Sequence, residues 1–331
     1  MTDVYAAAER LVDEVLFPGA AATDAADLVP IDRLDTLAMA GFYGLAGPTA
    51  VGELGHDAAT VARVVETLAS GCLTTTFVWL QHHGPVRAVA AGAPELRAAW
   101  LETMCAGRCR AGIAIGGIRP GVAPLRARRT AGGWSLTGSV PWVTGWGLID
   151  VVHTAAIDDD GAVVWLLVDA ATGPSLRADR QRLVAVNASG TVVLTFTDHP
   201  VSADRVTGTR SYAGWQADDD AGLRINGSLA LGVGRRCGWL LPAGSVRAQL
   251  EAELDETRDD LDTADPAALP AARAAAAELS WRAAGLLVVN HGSRSVLADS
   301  AAQRLAREAL FLLVFGSRAA IKTDLLARLA R

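Results

Sequence analysis

Lysine is almost missing from this 331-residue chain: of its 30 basic residues only Lys322 is a lysine. With so much alanine alongside, the arginine excess reads as genome composition rather than as a specific use of the guanidinium. The 36 acidic residues outnumber the basic ones, for a net charge of −6. A nucleic-acid partner is therefore not expected, since phosphate binding wants a basic field. Cysteine is scarce as well. The four (Cys72, Cys105, Cys109, Cys237) include no C-x-x-C pair and no metal spacing, so neither a metal site nor a disulfide framework is expected. Cys105 and Cys109 are expected as buried thiols one turn apart on a helix. Apolar runs such as Gly285 to Val289 fall far short of the roughly 20 residues of a membrane span. Met1 to Glu14 carries Asp3, Glu9, Asp13 and Glu14, against the grain of a signal peptide. The expectation is a cytoplasmic protein with no membrane partner, no internal repeat and no disordered tract.

What is present is enough apolar residue, 51%, for a large core, in a chain long enough for two or three domains. Helical spacing predicts helices over 4–16 (stopped by Pro18-Gly19), from Asp32 to about Gly41, from His56 onward, over 74–90 with a break at Gly84-Pro85, and over 95–106 behind Pro94. Gly44 to Gly55 reads as a loop. From about Arg110 the period changes. Short strands are expected at 111–118, 125–130, 134–138, 151–157, 163–169, 183–186 and 191–197, with turns at Ala131-Gly132-Gly133 and Asp158 to Gly161. Helices return near Asp218, with Asp218-Asp219-Asp220 as an N-terminal cap favourable to the helix dipole. They continue over 224–241, 246–261, 270–289, 300–315 and 319–330. The fold class is thus α+β multidomain: an N-terminal all-α domain (1–109), a central small barrel or sandwich (110–212) and a C-terminal helical domain (213–331).

The stretch from Gly132 to Asp150, rich in tryptophan and threonine and cut by glycines, suits strands and tight turns. Its Gly133-Trp134-Ser135-Leu136-Thr137-Gly138, followed by Trp142-Val143-Thr144, resembles a segment of the acyl-CoA dehydrogenase superfamily. His199 to Val206 resembles the end of that family's β domain. Gln303 to Ala309 followed by Gly316-Ser317 looks like its closing motif. The order helices, β domain, helical bundle agrees, and the resemblance implies that the middle domain is a small β-barrel and the last an antiparallel helical bundle. The resemblance implies an FAD-dependent flavoprotein oxidoreductase acting on an acyl thioester or related small molecule, and assembly through the C-terminal bundle as a homodimer or as a hetero-oligomer with a related subunit. It places Trp142, Val143 and Thr144 on the flavin wall, Ile115, Gly116 and Gly117 in the loop beside it, and His291 and Gly292 near the FAD pyrophosphate. Leu223, Arg224, Phe315 and Gly316 would line the substrate.

The departures concern the chemistry. A dehydrogenase of this kind needs a carboxylate to take the α-proton. The two positions from which the family supplies it hold Phe315 and Leu223, neither of which accepts a proton. The loop at 115–121 lacks the family's Thr and Glu, and the motif that grips the pyrophosphate from a neighbouring subunit has no counterpart between Ser245 and Asp265. His82 and His83 lie on a helix that borders the cleft in this family, and an imidazole titrates near neutrality, so either is a candidate replacement base. Glu308, at helical spacing from Arg304, reads as a structural ion-pair partner. Three functions stay open: a dehydrogenase whose base comes from a partner, a flavin-dependent monooxygenase that needs none, and a non-catalytic scaffold.

Overall fold

The computed structural model describes residues 4–48 and 56–330; the segment 49–55 of the expected 44–55 loop lies outside the described residues. The N-terminal helices are α1 (Val4–Leu11), α2 (Phe17–Ala25), α3 (Ile31–Met39), α4 (Ala58–Gly71), α5 (Leu73–Leu80), α6 (His83–Ala91) and α7 (Pro94–Cys105). Pro18 does not stop the first helix. One π-helical turn over Val12–Leu16 joins α1 to α2, and Pro18 occupies the first turn of α2, where its missing N–H costs nothing. The break expected at Gly84-Pro85 falls at Gln81-His82, for the same reason: Pro85 sits in the first turn of α6. α7 ends at Cys105, so Cys109 lies beyond the helix. Asp57 caps α4, its carboxylate accepting from the Thr60 amide at 2.7 Å.

Eight strands follow: β1 (Ala111–Ala114), β2 (Arg126–Thr130), β3 (Gly133–Val143), β4 (Val151–Ile157), β5 (Ala162–Asp169), β6 (Leu176–Arg180), β7 (Val192–Ser202) and β8 (Val206–Ser211). They pair in the order β6-β7-β3-β2-β4-β5-β8, with β1 parallel to β4. Residues of β2 through β7 point into one apolar cluster that includes Ala127, Leu136, Val152, Val164, Leu176 and Leu194. The sheet is therefore folded over itself. The extended segment expected at 183–186 is a turn, with Val186 at φ 50. β6 and β8, short and mostly exposed, carry too few large apolar residues to stand out.

The last third holds α8 (Tyr212–Asp218), α9 (Leu223–Leu240), α10 (Ser245–Thr263), α11 (Leu269–His291), α12 (Ala301–Val314) and α13 (Ala319–Leu329). α9 is the axis of the molecule. Its glycines admit neighbours: a Cβ on Gly232 would lie 2.3 Å from the Glu66 carbonyl of α4, and one on Gly227 would meet Leu261 of α10 at 2.6 Å. A single apolar cluster runs from Val4 through Trp79 to Leu229 and Leu312, so N-terminal and C-terminal helices share one core. Glu66, fully buried, is held by Arg258 through two hydrogen bonds of 2.7 and 2.8 Å and by Arg235 at 3.1 Å.

Candidate active site between sheet and bundle

Trp142, the next-to-last residue of β3, lies in the left-handed region at φ 64 and is 63% exposed. That backbone is an outlier for so bulky a residue. It is held by the Trp142 amide donating to Gln181 Oε1 at 3.2 Å, beside a register shift between Val140 and Val143. The shift separates the three residues of the wall. The Trp142 indole projects outward, whereas Val143 is buried in the sheet core. Thr144 is buried too, its hydroxyl 3.3 Å from Thr191 Oγ1, which lies 2.8 Å from Ser189 Oγ. The loop at Ile115-Gly116-Gly117 presses on the same strand: a Cβ on Gly116 would stand 2.6 Å from the Pro141 carbonyl, and one on Gly117 would meet Val140 at 2.9 Å. Only glycine allows that approach.

Two residues beyond this loop, Arg119 grips Asp219 with both guanidinium nitrogens, one bond measuring 2.7 Å, while its plane lies 5.3 Å from the centre of the Trp215 ring. Arg318 donates to Asp219 Oδ2 and to the Asp219 carbonyl, each at 2.8 Å, and to the Gly316 carbonyl at 2.6 Å, and its Nε lies 2.8 Å from Asp220 Oδ1 as an ion pair. Tyr212 adds a hydroxyl bond to the Ile118 carbonyl at 3.1 Å. Asp219 thus ties the 115–121 loop to the turn that follows α12. The sequence shows it only as a member of an acidic triplet, and the helix it was expected to cap starts later, at Leu223.

Phe315 follows α12 directly. Its ring makes an edge contact with Phe77 of α5 (centroids 4.9 Å apart) and stacks on Phe311 at 5.3 Å. Phe77 also meets Phe311 at 5.0 Å. No proton acceptor belongs to this aromatic triad. Arg273 bonds to the backbone beside it: Nη2 donates to the Leu312 and Phe315 carbonyls at 2.9 and 3.3 Å. Arg273 is buried, its Nε and Nη1 have no partner, and burial pulls its pKa down to about 10. Gly316 turns at φ 62. Leu223 packs inside the bundle with Leu269, Ile321 and Leu325. Arg224 is spent on Asp262 (2.7 Å) and Ser228 (2.8 Å). Neither of the last two is placed beside Phe315 by any of these contacts.

The two histidines differ. The Ala111 amide donates to His82 Nδ1 at 3.0 Å, so Nε2 carries the proton and donates to the Met104 carbonyl at 3.1 Å. With both nitrogens engaged and burial holding its pKa down to about 3, His82 has no lone pair to offer a substrate. His83 is equally buried, which holds its pKa well below the ordinary value, and both its nitrogens lack partners; its ring lies 4.4 Å from that of Trp79, whose Nε1 is also unpartnered. His291 and Gly292 are exposed at the end of α11, whose main neighbours are α9, α10, α12 and α13. The structure does not gather them with Trp142. Arg304 and Glu308 form a buried pair at 2.8 Å.

A bare indole beside a backbone stripped of Cβ atoms suits the ring end of a flavin. The outward indole on a strained backbone is the observation that carries this fit, its open face being free to stack on a planar group. No cluster of metal ligands exists among the described residues, and none of their helices is long and apolar enough to cross a membrane.

The family model for the acyl-CoA dehydrogenase N-terminal domain matches residues 2–108. The chain superposes on butyryl-CoA dehydrogenase from Megasphaera elsdenii with a TM-score of 0.85, at 16% identity, covering 100% of this chain and 99% of that one. A glutaryl-coenzyme A dehydrogenase solved with glutaryl-CoA gives 0.86, at 17% identity, over 99% and 94%. Among curated proteins, 3-sulfinopropanoyl-CoA desulfinase of Variovorax paradoxus is 29% identical over 167 residues, which is 48% of this chain and 41% of that protein. The matched part spans less than half of the desulfinase.

Proposed function

We propose that this chain belongs to the acyl-CoA dehydrogenase superfamily, whose N-terminal-domain model matches residues 2–108, and that it is a flavoprotein subunit that acts on an acyl thioester without a proton-abstracting residue of its own, beside a related subunit that carries the carboxylate. The observation behind this reading is Phe315, locked between Phe77 and Phe311 where the resemblance expects the base. FAD, when bound, would supply the hydride acceptor. The chain's own part is to offer the Trp142 indole and the 115–117 backbone to the ring, and to keep water from the apolar side with the aromatic triad. A positioned base contributes typically 10²–10⁴-fold, so the chain by itself is a slow dehydrogenase or none.

A related subunit has a surface to meet. Trp239, Val246, Trp281, Val289, Val296 and Leu297 are all exposed on the C-terminal bundle, aromatic and aliphatic side chains of the kind found at the core of subunit interfaces. The test is purification alone and after co-expression with a related subunit that retains the Glu. The expected outcome is a yellow complex, absorbing near 450 nm and bleached anaerobically by an acyl-CoA, against no bleaching of this chain alone. Bleaching of the lone chain at the rate of the complex overturns the reading. A colourless complex that FAD does not restore assigns the chain to the scaffold class instead.

A further inference from the structure

We propose that Ser175 and His199 form a second reactive site, at the β6–β7 edge of the sheet, where the serine hydroxyl takes the acyl group of a small activated ester and passes it to water. The two side chains meet at 2.9 Å, Ser175 Oγ against His199 Nδ1, within the reach that a nucleophile and its base need. Both are placed by irregular backbone. Ser175 follows Pro174 in a tight turn closed by reciprocal bonds between Gly173 and Leu176, at 2.9 and 3.3 Å. His199 follows a bulge in β7. Leu136 of β3 faces His199 and Gly138 faces Phe196, so β7 carries one residue too many, and Asp198 between them turns at φ 46. Few residues other than glycine adopt that backbone, and bulges of this kind re-aim side chains beside active sites. Here the bulge sets the His199 ring edge-on to Phe196, a core residue, with centroids 5.7 Å apart.

Ser175 lines a cavity of about 370 Å³ together with Thr172, Gly173, Thr195 and Thr197. Residues 172–174 are exposed, so the cavity is reached from solvent. His199 is half-buried and outside the lining, which lets a ligand meet the serine while the imidazole works from behind it. Burial lowers the His199 pKa below its ordinary value, with the Asp169 charge opposing. The ring is therefore neutral at pH 7 and, with its proton on Nε2, offers Nδ1 as the acceptor. Ser175 Oγ attacks the ester carbonyl carbon as its proton passes to Nδ1; the bond to the alcohol oxygen breaks, and the alcohol leaves with that proton. Water then attacks the acyl-serine, gives its proton to Nδ1, and frees the acid as Oγ takes the proton back. The Thr195 and Thr197 hydroxyls are donors for the oxygen that turns negative. A cavity near the small end of ligand pockets, lined mainly by hydroxyl-bearing and small residues, fits a short acyl group rather than a long chain.

None of these residues belongs to the Trp142 wall or to the aromatic triad, so the test needs neither flavin nor a partner subunit. A fluorophosphonate probe, which phosphonylates activated serines with loss of fluoride, is incubated with the intact protein, and the modified peptide is identified by mass spectrometry. One adduct, on Ser175, is expected. No adduct, or adducts scattered over exposed serines, overturns the proposal, and this arm requires no variant to fold. His199→Gln keeps a hydrogen-bond acceptor but cannot take up the proton. With its fold confirmed by circular dichroism, it is expected to be labelled about a hundredfold more slowly. Labelling of folded His199→Gln at the wild-type rate means a structural hydrogen bond only and overturns the assignment of the base. p-Nitrophenyl acetate reads the full cycle: its hydrolysis by the wild type is expected to fall to the uncatalysed rate in Ser175→Ala, and hydrolysis unchanged in that variant overturns the acyl transfer.

Discussion

At the scale of single residues, the chemistry of this chain turns on one aromatic ring. Phe315→Glu would place a carboxylate against Phe77 and Phe311, where burial raises a carboxyl pKa toward the range of a useful base. The substitution is expected to cost about 1–3 kcal/mol of stability and to raise acyl-CoA-driven flavin bleaching by about 10²-fold, measured by urea melts and stopped-flow absorbance. Bleaching that stays at the wild-type level in folded, flavin-loaded protein would detach Phe315 from the proposed site. The histidines make a second prediction. His82 and His153 are held neutral by burial, each to about 3, and His83 lies well below its ordinary value. Their folded pKa values lie below the unfolded 6.5, so the unfolded chain takes up protons first as the solution is acidified. The stability they protect is complete above about pH 6.5 and is lost as pH falls from there toward 3, at a limiting slope of about 1.4 kcal/mol per unit for each ring. Urea midpoints between pH 7 and 5 should fall accordingly; a flat profile would mean these rings are not buried as described.

At the scale of elements, the packing of α9 against α4 leaves no room for a methyl group. Gly232→Ala drives a Cβ into the Glu66 carbonyl at 2.3 Å and is expected to cost about 3 kcal/mol, readable as a lowered unfolding midpoint. Glu66→Gln should lose a similar amount, about 3 kcal/mol, by leaving Arg258 short of its buried anion; a loss below 1 kcal/mol in either variant would mean this seam is looser than drawn. Most helices were legible from their apolar spacing, and β4 was read to the residue. The failures share causes. Pro18 and Pro85 were read as breaks, although proline in a first turn ends nothing. Edge strands β6 and β8 carry too few large apolar residues to read. A motif points to Trp142 and Phe315, and it is on these two residues that the proposed site is built. It was hidden where long-range pairing made it, since nothing in the sequence joins Arg119, Asp219 and Arg318 across about a hundred residues at a time.

At the scale of the whole molecule, the helices before the sheet and those after it share the cluster that runs from Val4 to Leu312. Arg236 reinforces the junction by donating to the Ser70 carbonyl at 2.7 Å. Hydrogen exchange should therefore show α4 and α9 opening together, with the sheet's β3–β7 pair as a separate unit; independent opening of α4 would contradict a common core. The arrangement has a consequence for birth at the ribosome. The first helices emerge more than a hundred residues ahead of the surface they are built to cover, and the sheet in between can finish folding while they wait. Until α9 arrives, the α4 face at Glu66, Ala69 and Ser70 lacks the helix that covers it, and that interval is when a holding chaperone matters most to this protein.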